Sequence, residues 1–263
     1  MYIPQKKLLY IVNVDKFLLS HRFELAIEAK KNNYEVHLGS RITSASKILN
    51  ENGIKTHPIY IDRSSIGLFD LVKTSISIFR LIKKINPDLV HFVSIKPVTL
   101  GCIAVKFLSK DIRIFASISG LGYIFIDKSF LGIFKKIITC IIYKFALSNK
   151  KIKVIFQNKT DRDFIKKLCN LKNSNCNLIK GSGVNLKKFN YDNNESELPE
   201  IILPARLVKS KGIVEFINAA KLLKGKGRFI ICGDYDYEAK DFITEEFIND
   251  EVKKGSIEYW GFQ

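Results

Sequence analysis

Short apolar runs that alternate with segments of helical spacing constrain the fold of this chain more than any other feature. Leu8–Val14 is a continuous apolar run of strand length, and Ser20–Asn32 then shows helical spacing. The alternation continues with predicted strands at Tyr34–Leu38, Thr56–Ile61 and Leu89–Val93 and predicted helices at Ser44–Asn52 and Gly67–Ile85. This pattern predicts an α/β fold, a parallel sheet with helices on both faces.

A polar and acidic stretch, Asn190–Glu200, has no apolar period and divides the chain. It predicts an amino-terminal domain at 1–190, a linker at 191–200 and a partial carboxy-terminal domain at 201–263. The second part repeats the alternation, with predicted strands at Ile201–Pro204, Arg228–Cys232 and Ser256–Trp260 and predicted helices at Gly212–Leu223 and Tyr237–Val252. Three strands and two helices are half of a doubly wound domain, so an exposed edge is expected at the last strand.

The net charge limits the kinds of partner. The 263 residues include 43 Lys plus Arg against 26 Asp plus Glu, a formal charge of +17. Such a surface favours nucleic acid, phosphorylated ligands or an anionic bilayer, although a lysine-rich coding composition is a competing explanation of the charge. Nucleic acid is disfavoured as a partner, because the cations are scattered over both halves and no reading helix or aromatic RNA-binding motif is present.

Three sequence features point to a cytoplasmic protein that does not cross a membrane. The five cysteines form no Cys-x-x-Cys pair, which fits a reducing compartment. The first residues lead directly into an apolar strand instead of a signal-peptide core. No apolar run reaches the length of about 18 residues that a spanning helix needs.

A group of cations stands at a predicted turn between a strand and a helix. Arg206, Lys209 and Lys211 lie between Ile201–Pro204 and the helix that starts at Gly212. Free N–H groups at a helix N-terminus attract anions, and the added cations make this turn a candidate diphosphate clamp. The alternative is a solvated basic turn in a lysine-rich protein.

These residues belong to a larger pattern. The segment from Ile201 to Gly233, with Arg206 and Lys211-Gly212, resembles the first half of the nucleotide-sugar domain of family 4 retaining glycosyltransferases, which have the GT-B fold. The amino-terminal half resembles the branch of that family that builds bacterial surface polysaccharide, O-antigen or capsule, on undecaprenyl diphosphate. Its matching stretches occur in the expected order: Phe17-Leu-Leu-Ser-His21-Arg22, Asn86-Pro-Asp-Leu-Val-His91, Ser94-Ile-Lys96-Pro97, Ser119-Gly120-Leu-Gly122-Tyr123, Phe156-Gln-Asn158 with Asp161, and Gly181-Ser-Gly183-Val184.

The resemblance implies a complete Rossmann-like acceptor domain followed by a partial nucleotide-sugar domain. It implies a hexosyltransferase on the inner face of the plasma membrane that moves a sugar, with retention, from a UDP-type donor to an undecaprenyl-diphosphate-linked glycan. The residues that match Arg206 and Lys211 hold the donor diphosphate in that family. Gly233, Gly120 and Gly122 are expected to let backbone groups approach the donor. No metal or other cofactor is implied.

Three further residues are candidates for binding the acceptor diphosphate. His21 and Arg22 follow the first predicted strand and Lys96 follows a later one, at the edge where open parallel sheets bind ligands. The alternative is a helix cap at Ser20 beside ordinary surface charges. His37, His57 and His91 lie in or beside strands, and we interpret them as packing or surface residues.

The segment from Phe130 to Leu147 predicts a basic amphipathic helix. Phe130, Phe134, Ile137, Ile141 and Phe145 recur at helical spacing, whereas lysines occupy other positions. Such a helix is expected to lie in the interface of an anionic membrane. The competing interpretation is a helix that packs in the core of the first domain.

Two departures from the family pattern limit the expected activity. The family often has a donor-contacting histidine near the end of a middle strand, but Ile118–Gly122 contains none, so backbone groups are expected to replace it. The family's Glu-x7-Glu segment, which holds the nucleotide ribose, would lie after Gln263. The 263-residue chain is therefore expected to bind donor weakly and to show little or no transfer. No side chain stands out as a nucleophile or a general base.

Two other functions fit parts of the pattern. A non-hydrolysing UDP-sugar 2-epimerase shares the two-domain architecture and the diphosphate site, but it needs acid and base carboxylates and has no use for a membrane-facing helix. A non-catalytic, membrane-associated partner subunit would contribute the acceptor domain while another chain completes the donor site.

Overall fold

A computed structural model describes residues 5–62, 67–108, 112–121, 130–149, 151–187, 189, 198–237, 239 and 241–263. The chain divides into two compact units, Met1–Val184 and Asn185–Gln263. Most of the predicted linker, residues 191–197, lies outside the described residues.

Within those residues, the first unit is built on a seven-stranded sheet in which all neighbouring strands are parallel, in the order β3-β2-β1-β4-β5-β6-β7. Its strands are β1 Lys6–Val14, β2 Tyr34–Arg41, β3 Lys55–Pro58, β4 Leu89–Val93, β5 Arg113–Ile118, β6 Ile152–Phe156 and β7 Cys176–Leu178. Its helices are α1 Asp15–His21, α2 Phe23–Lys31, α3 Ala45–Glu51, α4 Leu68–Ile85, α5 Ile95–Val105, α6 Phe130–Ala146 and α7 Lys159–Cys169.

Side chains that alternate along β1 separate the core of this unit into two layers. Leu9 and Ile11 pack in one cluster with residues of α4, α5, α6 and α7. Leu8 and Tyr10 pack in the other with residues of α1, α2 and α3. Helices therefore cover both faces of a parallel sheet, which confirms the predicted fold class.

The predicted helix at Ser20–Asn32 is confirmed over Phe23–Lys31, which is α2, but the separate helix α1 before it was not predicted. Helix α1 begins at Asp15, whose buried carboxylate accepts hydrogen bonds from the N–H of Lys16 at 2.8 Å and from the N–H and hydroxyl of Thr43 at 2.7 and 2.6 Å. The bonds to Thr43 join residues that are distant in sequence, and they fix the start of α1. The local spacing of apolar residues does not predict them.

The second unit has, among its described residues, a three-stranded parallel sheet in the order β10-β9-β8. Its elements are β8 Glu200–Pro204, α8 Ile213–Leu222, β9 Arg228–Cys232, α9 Glu245–Lys253 and β10 Glu258–Gly261. The predicted helix at Tyr237–Val252 was wrong over its first half. The helix begins at Glu245, where the Thr244 side chain accepts a hydrogen bond from the N–H of Phe247.

Arg228 joins the amino ends of these three strands. It forms an ion pair with Glu200 at the start of β8 and a bidentate pair with Glu258 at the start of β10, both bonds to Glu258 being 2.9 Å long. The hydrogen bonds to Glu258 raise the pKa of Arg228. One guanidinium thus connects all three strands at the amino ends, opposite the carboxyl ends where open parallel sheets bind ligands.

Candidate functional site

The strand order of the first unit marks one place for a ligand. The chain leaves β1 toward β2 and β3 on one side, whereas β4 lies on the other side and leads to β5. A crevice forms outside the carboxyl ends of the strands at such a switch point, which here lies between β1 and β4.

Arg22 connects two predicted motifs at this edge. It lies between α1 and α2, and its Nη1 donates to the Ser182 hydroxyl at 2.5 Å and to the His21 carbonyl at 2.9 Å. Ser182 is 160 residues away in sequence and is flanked by Gly181 and Gly183, which both have φ of 73°. The structure therefore brings the His21-Arg22 motif to the Gly-Ser-Gly loop.

A buried polar group lies under Arg22. The Tyr10 and His91 rings are 5.2 Å apart, and His91 Nε2 is 2.7 Å from the Ser117 hydroxyl. Burial, with the positive charge of Arg22 as the second cause, lowers the pKa of His91 to about 3. His91 is therefore neutral at physiological pH, and its burial agrees with the packing interpretation.

This lowered pKa predicts acid sensitivity. The unfolded chain would protonate His91 near pH 6.5, whereas the folded chain resists protonation down to about pH 3. Because the unfolded chain then binds more protons, the free energy of unfolding should fall as the pH drops below 6.5, by up to about 1.4 kcal/mol per pH unit from this group. Urea unfolding between pH 6.5 and 4.5 should show a shallower fall for His91→Gln than for wild type. Equal slopes would contradict the prediction.

His21 is held by its immediate neighbours. Its Nδ1 lies 2.6 Å from the Ser20 hydroxyl, and its ring stacks on Phe17 with centroids 4.5 Å apart. Partial burial and the charge of Arg22 lower the pKa of His21. A neutral imidazole beside Arg22 is suited to hydrogen bonding, not to adding charge.

Lys96 is placed differently from Arg22. It lies in the first turn of α5, and its ammonium donates to the backbone carbonyl of Asp62, in the segment that leads to α4. Partial burial lowers its pKa. Ser94, the residue immediately before α5, has φ 78° and ψ 166°, a conformation that costs a non-glycine residue about 1–3 kcal/mol and is concentrated at functional sites.

The glycine loop after β5 is described only in part. An added Cβ at Gly120 would meet nothing within 4 Å, so the backbone there is open to approach. Gly122, the second predicted glycine of this loop, lies outside the described residues.

The basic turn of the second unit follows β8. Arg206 comes two residues after the strand, Lys209–Lys211 forms a single 3₁₀ turn, and Gly212 has φ of 79° immediately before α8. Arg206 forms an ion pair with Asp236, and the Ser210 N–H donates to Asp241 Oδ2 at 2.8 Å. Lys211 is exposed. Sequence reasoning found the cations but missed these two carboxylates: Asp241 lies inside the helix predicted at Tyr237–Val252, and Asp236 lies immediately before it.

Gly233 has a tight backbone environment. A Cβ at this position would stand 1.9 Å from the Ala205 carbonyl oxygen. The Gly233 N–H donates to the Gly261 carbonyl and the Tyr259 hydroxyl donates to the Gly233 carbonyl, both at 2.8 Å. The close backbone approach that the sequence suggested is made, in this structure, by the turn after β8.

The described part of the chain contains neither a metal-binding cluster nor a helix that could span a membrane. No group of three or more His, Cys, Asp or Glu side chains there could hold a metal ion. No described helix is both long enough and apolar enough to cross a bilayer.

Two curated relatives resemble most of this chain. The N,N'-diacetylbacillosaminyl-diphospho-undecaprenol α-1,3-N-acetylgalactosaminyltransferase of Campylobacter jejuni is 28% identical over 226 residues, covering 81% of this chain and 58% of the relative. The capsular polysaccharide biosynthesis glycosyltransferase CapM of Staphylococcus aureus is 26% identical over 257 residues, covering 90% and 63%. The chain thus spans less than two thirds of the length of either relative.

A solved glycosyltransferase from Rickettsia africae has the same fold. It superposes with a TM-score of 0.66 at 20% identity, covering 99% of this chain and 69% of its own. This likeness confirms the GT-B fold assignment. A family model described as glycosyl transferase 4-like matches residues 7–158, more than half of the sequence. The chain therefore belongs to the glycosyl transferase 4-like family.

Proposed function

We propose that this chain is the acceptor domain and part of the donor domain of a retaining hexosyltransferase. The enzyme moves a sugar from a UDP-type donor to an undecaprenyl-diphosphate-linked glycan in surface polysaccharide synthesis. The observation that carries the proposal is the basic turn after β8. The chain belongs to a glycosyltransferase family, and both curated relatives described above are named as glycosyltransferases. The name of the Campylobacter relative includes a diphospho-undecaprenol acceptor.

The donor diphosphate would bind at the basic turn. Arg206 and Lys211 stand at the carboxyl end of β8, just before the N-terminus of α8. Charge builds on the diphosphate as the sugar leaves, so a fixed guanidinium and ammonium stabilise the transition state more than the ground state. Gly233 supports this site by letting the turns after β8 and β9 approach each other.

The acceptor diphosphate would bind at the carboxyl edge of the first sheet. The contact of Arg22 with Ser182 places a cation beside the switch point, next to His21. Lys96 lies in the first turn after β4 and would contribute a second cation on leaving the Asp62 carbonyl. The open backbone at Gly120 would let backbone groups approach the transferring sugar.

Helix α6 would attach the protein to the inner face of the plasma membrane. It carries exposed apolar side chains along its length, with Ile137, Ile141 and Phe145 all more than half exposed. Tyr143 and Ala146 of the same helix are buried in the core, so the core-packing interpretation holds for one face, and the membrane interpretation would concern the other. An exposed apolar face beside lysines is suited to the interface of an anionic bilayer.

Vesicle flotation tests this attachment. The double variant Ile137→Asp with Ile141→Asp should lose most of the binding to vesicles containing anionic lipid, because each charge must enter the acyl boundary. Leu222→Asp, on an exposed apolar residue of α8, is the matched control and should float like wild type. Equal flotation of the double variant and wild type would remove α6 from the proposal.

The reaction itself separates this proposal from the alternatives. A chain extended by a carboxy-terminal segment with the Glu-x7-Glu pattern, given a UDP-sugar and a lipid-diphosphate-linked glycan, should release UDP and lengthen the glycan. Interconversion of free UDP-sugars without UDP release would identify an epimerase. Transfer that requires a second, co-purifying polypeptide would identify a partner subunit.

A further inference from the structure

We propose that Asp236 competes with the donor diphosphate for Arg206 and thereby sets the affinity for the donor. This inference rests on the proposed function, because it concerns the same basic turn. Donor binding would replace one anion on the guanidinium by another, and would not fill an empty cationic site.

The ion pair lies at the position where the diphosphate is expected. Arg206 Nη1 contacts Asp236 Oδ2, and the Arg206 side chain is 47% exposed whereas that of Asp236 is 20% exposed. The guanidinium is therefore accessible to a ligand while it is paired. An exposed pair of this kind is weak enough to be exchanged for a more highly charged anion.

A second carboxylate accepts a hydrogen bond from a backbone N–H group of the same turn. Asp241 Oδ2 accepts the hydrogen bond of the Ser210 N–H at 2.8 Å. The hydrogen bonds at Ser210, and to a smaller extent the charge of Arg206, lower the pKa of Asp241, so this carboxylate is ionised. A guanidinium and an N–H group at a turn are the groups that bind phosphate oxygens in proteins, and here both hold carboxylates.

Backbone hydrogen bonds fix Asp236 beside the turn independently of Arg206. The Leu207 N–H donates to the Asp234 carbonyl at 3.0 Å, and the Ile243 N–H donates to the Leu207 carbonyl at 2.9 Å. The Lys209 N–H donates to the Asp241 carbonyl at 2.8 Å. The segment that carries both carboxylates is thus anchored along the turn, and its negative charges remain nearby when a ligand arrives.

The sign of the effect follows from this arrangement. The negative charge of Asp236 opposes donor binding twice, since it must leave Arg206 and it then repels the incoming diphosphate. Asp236→Asn removes both the competition for Arg206 and the repulsion of the diphosphate. If Asp236 instead holds Arg206 in a binding geometry, the same substitution weakens donor binding.

The experiment is a titration of the 263-residue chain with UDP, inorganic pyrophosphate and uridine, followed by the NMR signal of the Arg206 side chain. Asp236→Asn should bind UDP and pyrophosphate about two- to fivefold more tightly than wild type, the range expected for loss of one exposed ion pair. Uridine, which has no phosphate, should bind both proteins equally. Asp236→Glu keeps the anion and should stay near wild type.

Two controls decide the interpretation. Asp250→Asn removes the same charge from an ion pair between α9 and Lys254, the residue that follows this helix, and should leave UDP binding unchanged. In an Arg206→Ala background, Asp236→Asn should give a smaller gain than in wild type, because only the repulsion between Asp236 and the diphosphate is then removed. Unchanged or weaker binding by Asp236→Asn, with wild type still binding UDP through Arg206, would overturn this inference and leave the proposed function intact. Absence of any UDP effect on Arg206 in wild type would overturn both.

Discussion

Replacing Arg206 by alanine is expected to weaken UDP binding by about tenfold or more. A hydrogen bond to a charged group contributes roughly 1.5–3 kcal/mol, and about 1.4 kcal/mol corresponds to a factor of ten. The lower end of that range applies because the side chain is 47% exposed and solvent screens its charge. Adding Lys211→Ala should reduce binding further, since the ammonium acts on the same diphosphate. Isothermal titration calorimetry or an NMR titration measures both.

A matched arginine controls for net charge. Arg162 lies on α7 in the first unit and pairs with its neighbour Asp163, so Arg162→Ala changes the charge equally without touching the basic turn. It should bind UDP like wild type. If Arg206→Ala binds UDP as well as wild type does, the basic turn is an ordinary solvated loop and the donor site lies elsewhere.

Replacing Gly233 by alanine is expected to destabilise the second unit by about 3 kcal/mol or more, at or beyond the upper end of overpacking effects. The added Cβ would stand 1.9 Å from the Ala205 carbonyl oxygen, and a backbone atom cannot rotate away as a side chain can. The turns after β8 and β9 would have to separate, which would break the bond from the Ala205 N–H to the Cys232 carbonyl.

Hydrogen exchange is the appropriate measurement, because two units need not unfold together. Amides of β8, β9 and β10 should exchange faster in Gly233→Ala, while those of the first sheet keep their wild-type rates. Gly225→Ala is the matched control: its Cβ meets nothing within 4 Å, and only its φ of 81° opposes substitution, at a cost of about 1–2 kcal/mol. Equal protection in the two variants would contradict the steric argument.

Local sequence pattern was sufficient to predict the fold class and most elements. Continuous apolar runs identify the buried strands of a parallel sheet, and β4 begins and ends as predicted at Leu89–Val93. The pattern failed where contacts distant in sequence decide the structure. Helix α1 depends on the bonds of Asp15 to Thr43, and β7, which was not predicted, has only three residues and pairs with β6.

The candidate site was predictable in residue type but not in pairing. Cations at a strand-to-helix turn are visible in sequence, whereas the two carboxylates that bond to this turn lie 30 or 31 residues from their partners and follow another strand. The contact of Arg22 with Ser182 likewise spans 160 residues. Side chains at such separations meet only because strand order brings their loops together, and periodicity contains no information on strand order.

The ion pairs of Arg228 with Glu200 and Glu258 affect which parts of the second unit can change in sequence during evolution. By joining three strands at one end of the second sheet, Arg228 makes their pairing less dependent on the connections at the other end. Under the proposed function, changes in the connection between β9 and α9 that keep Gly233 and the backbone bonds to the basic turn should therefore alter donor preference while conserving the scaffold. New sugar specificities are then accessible through small insertions and do not require a redesigned core.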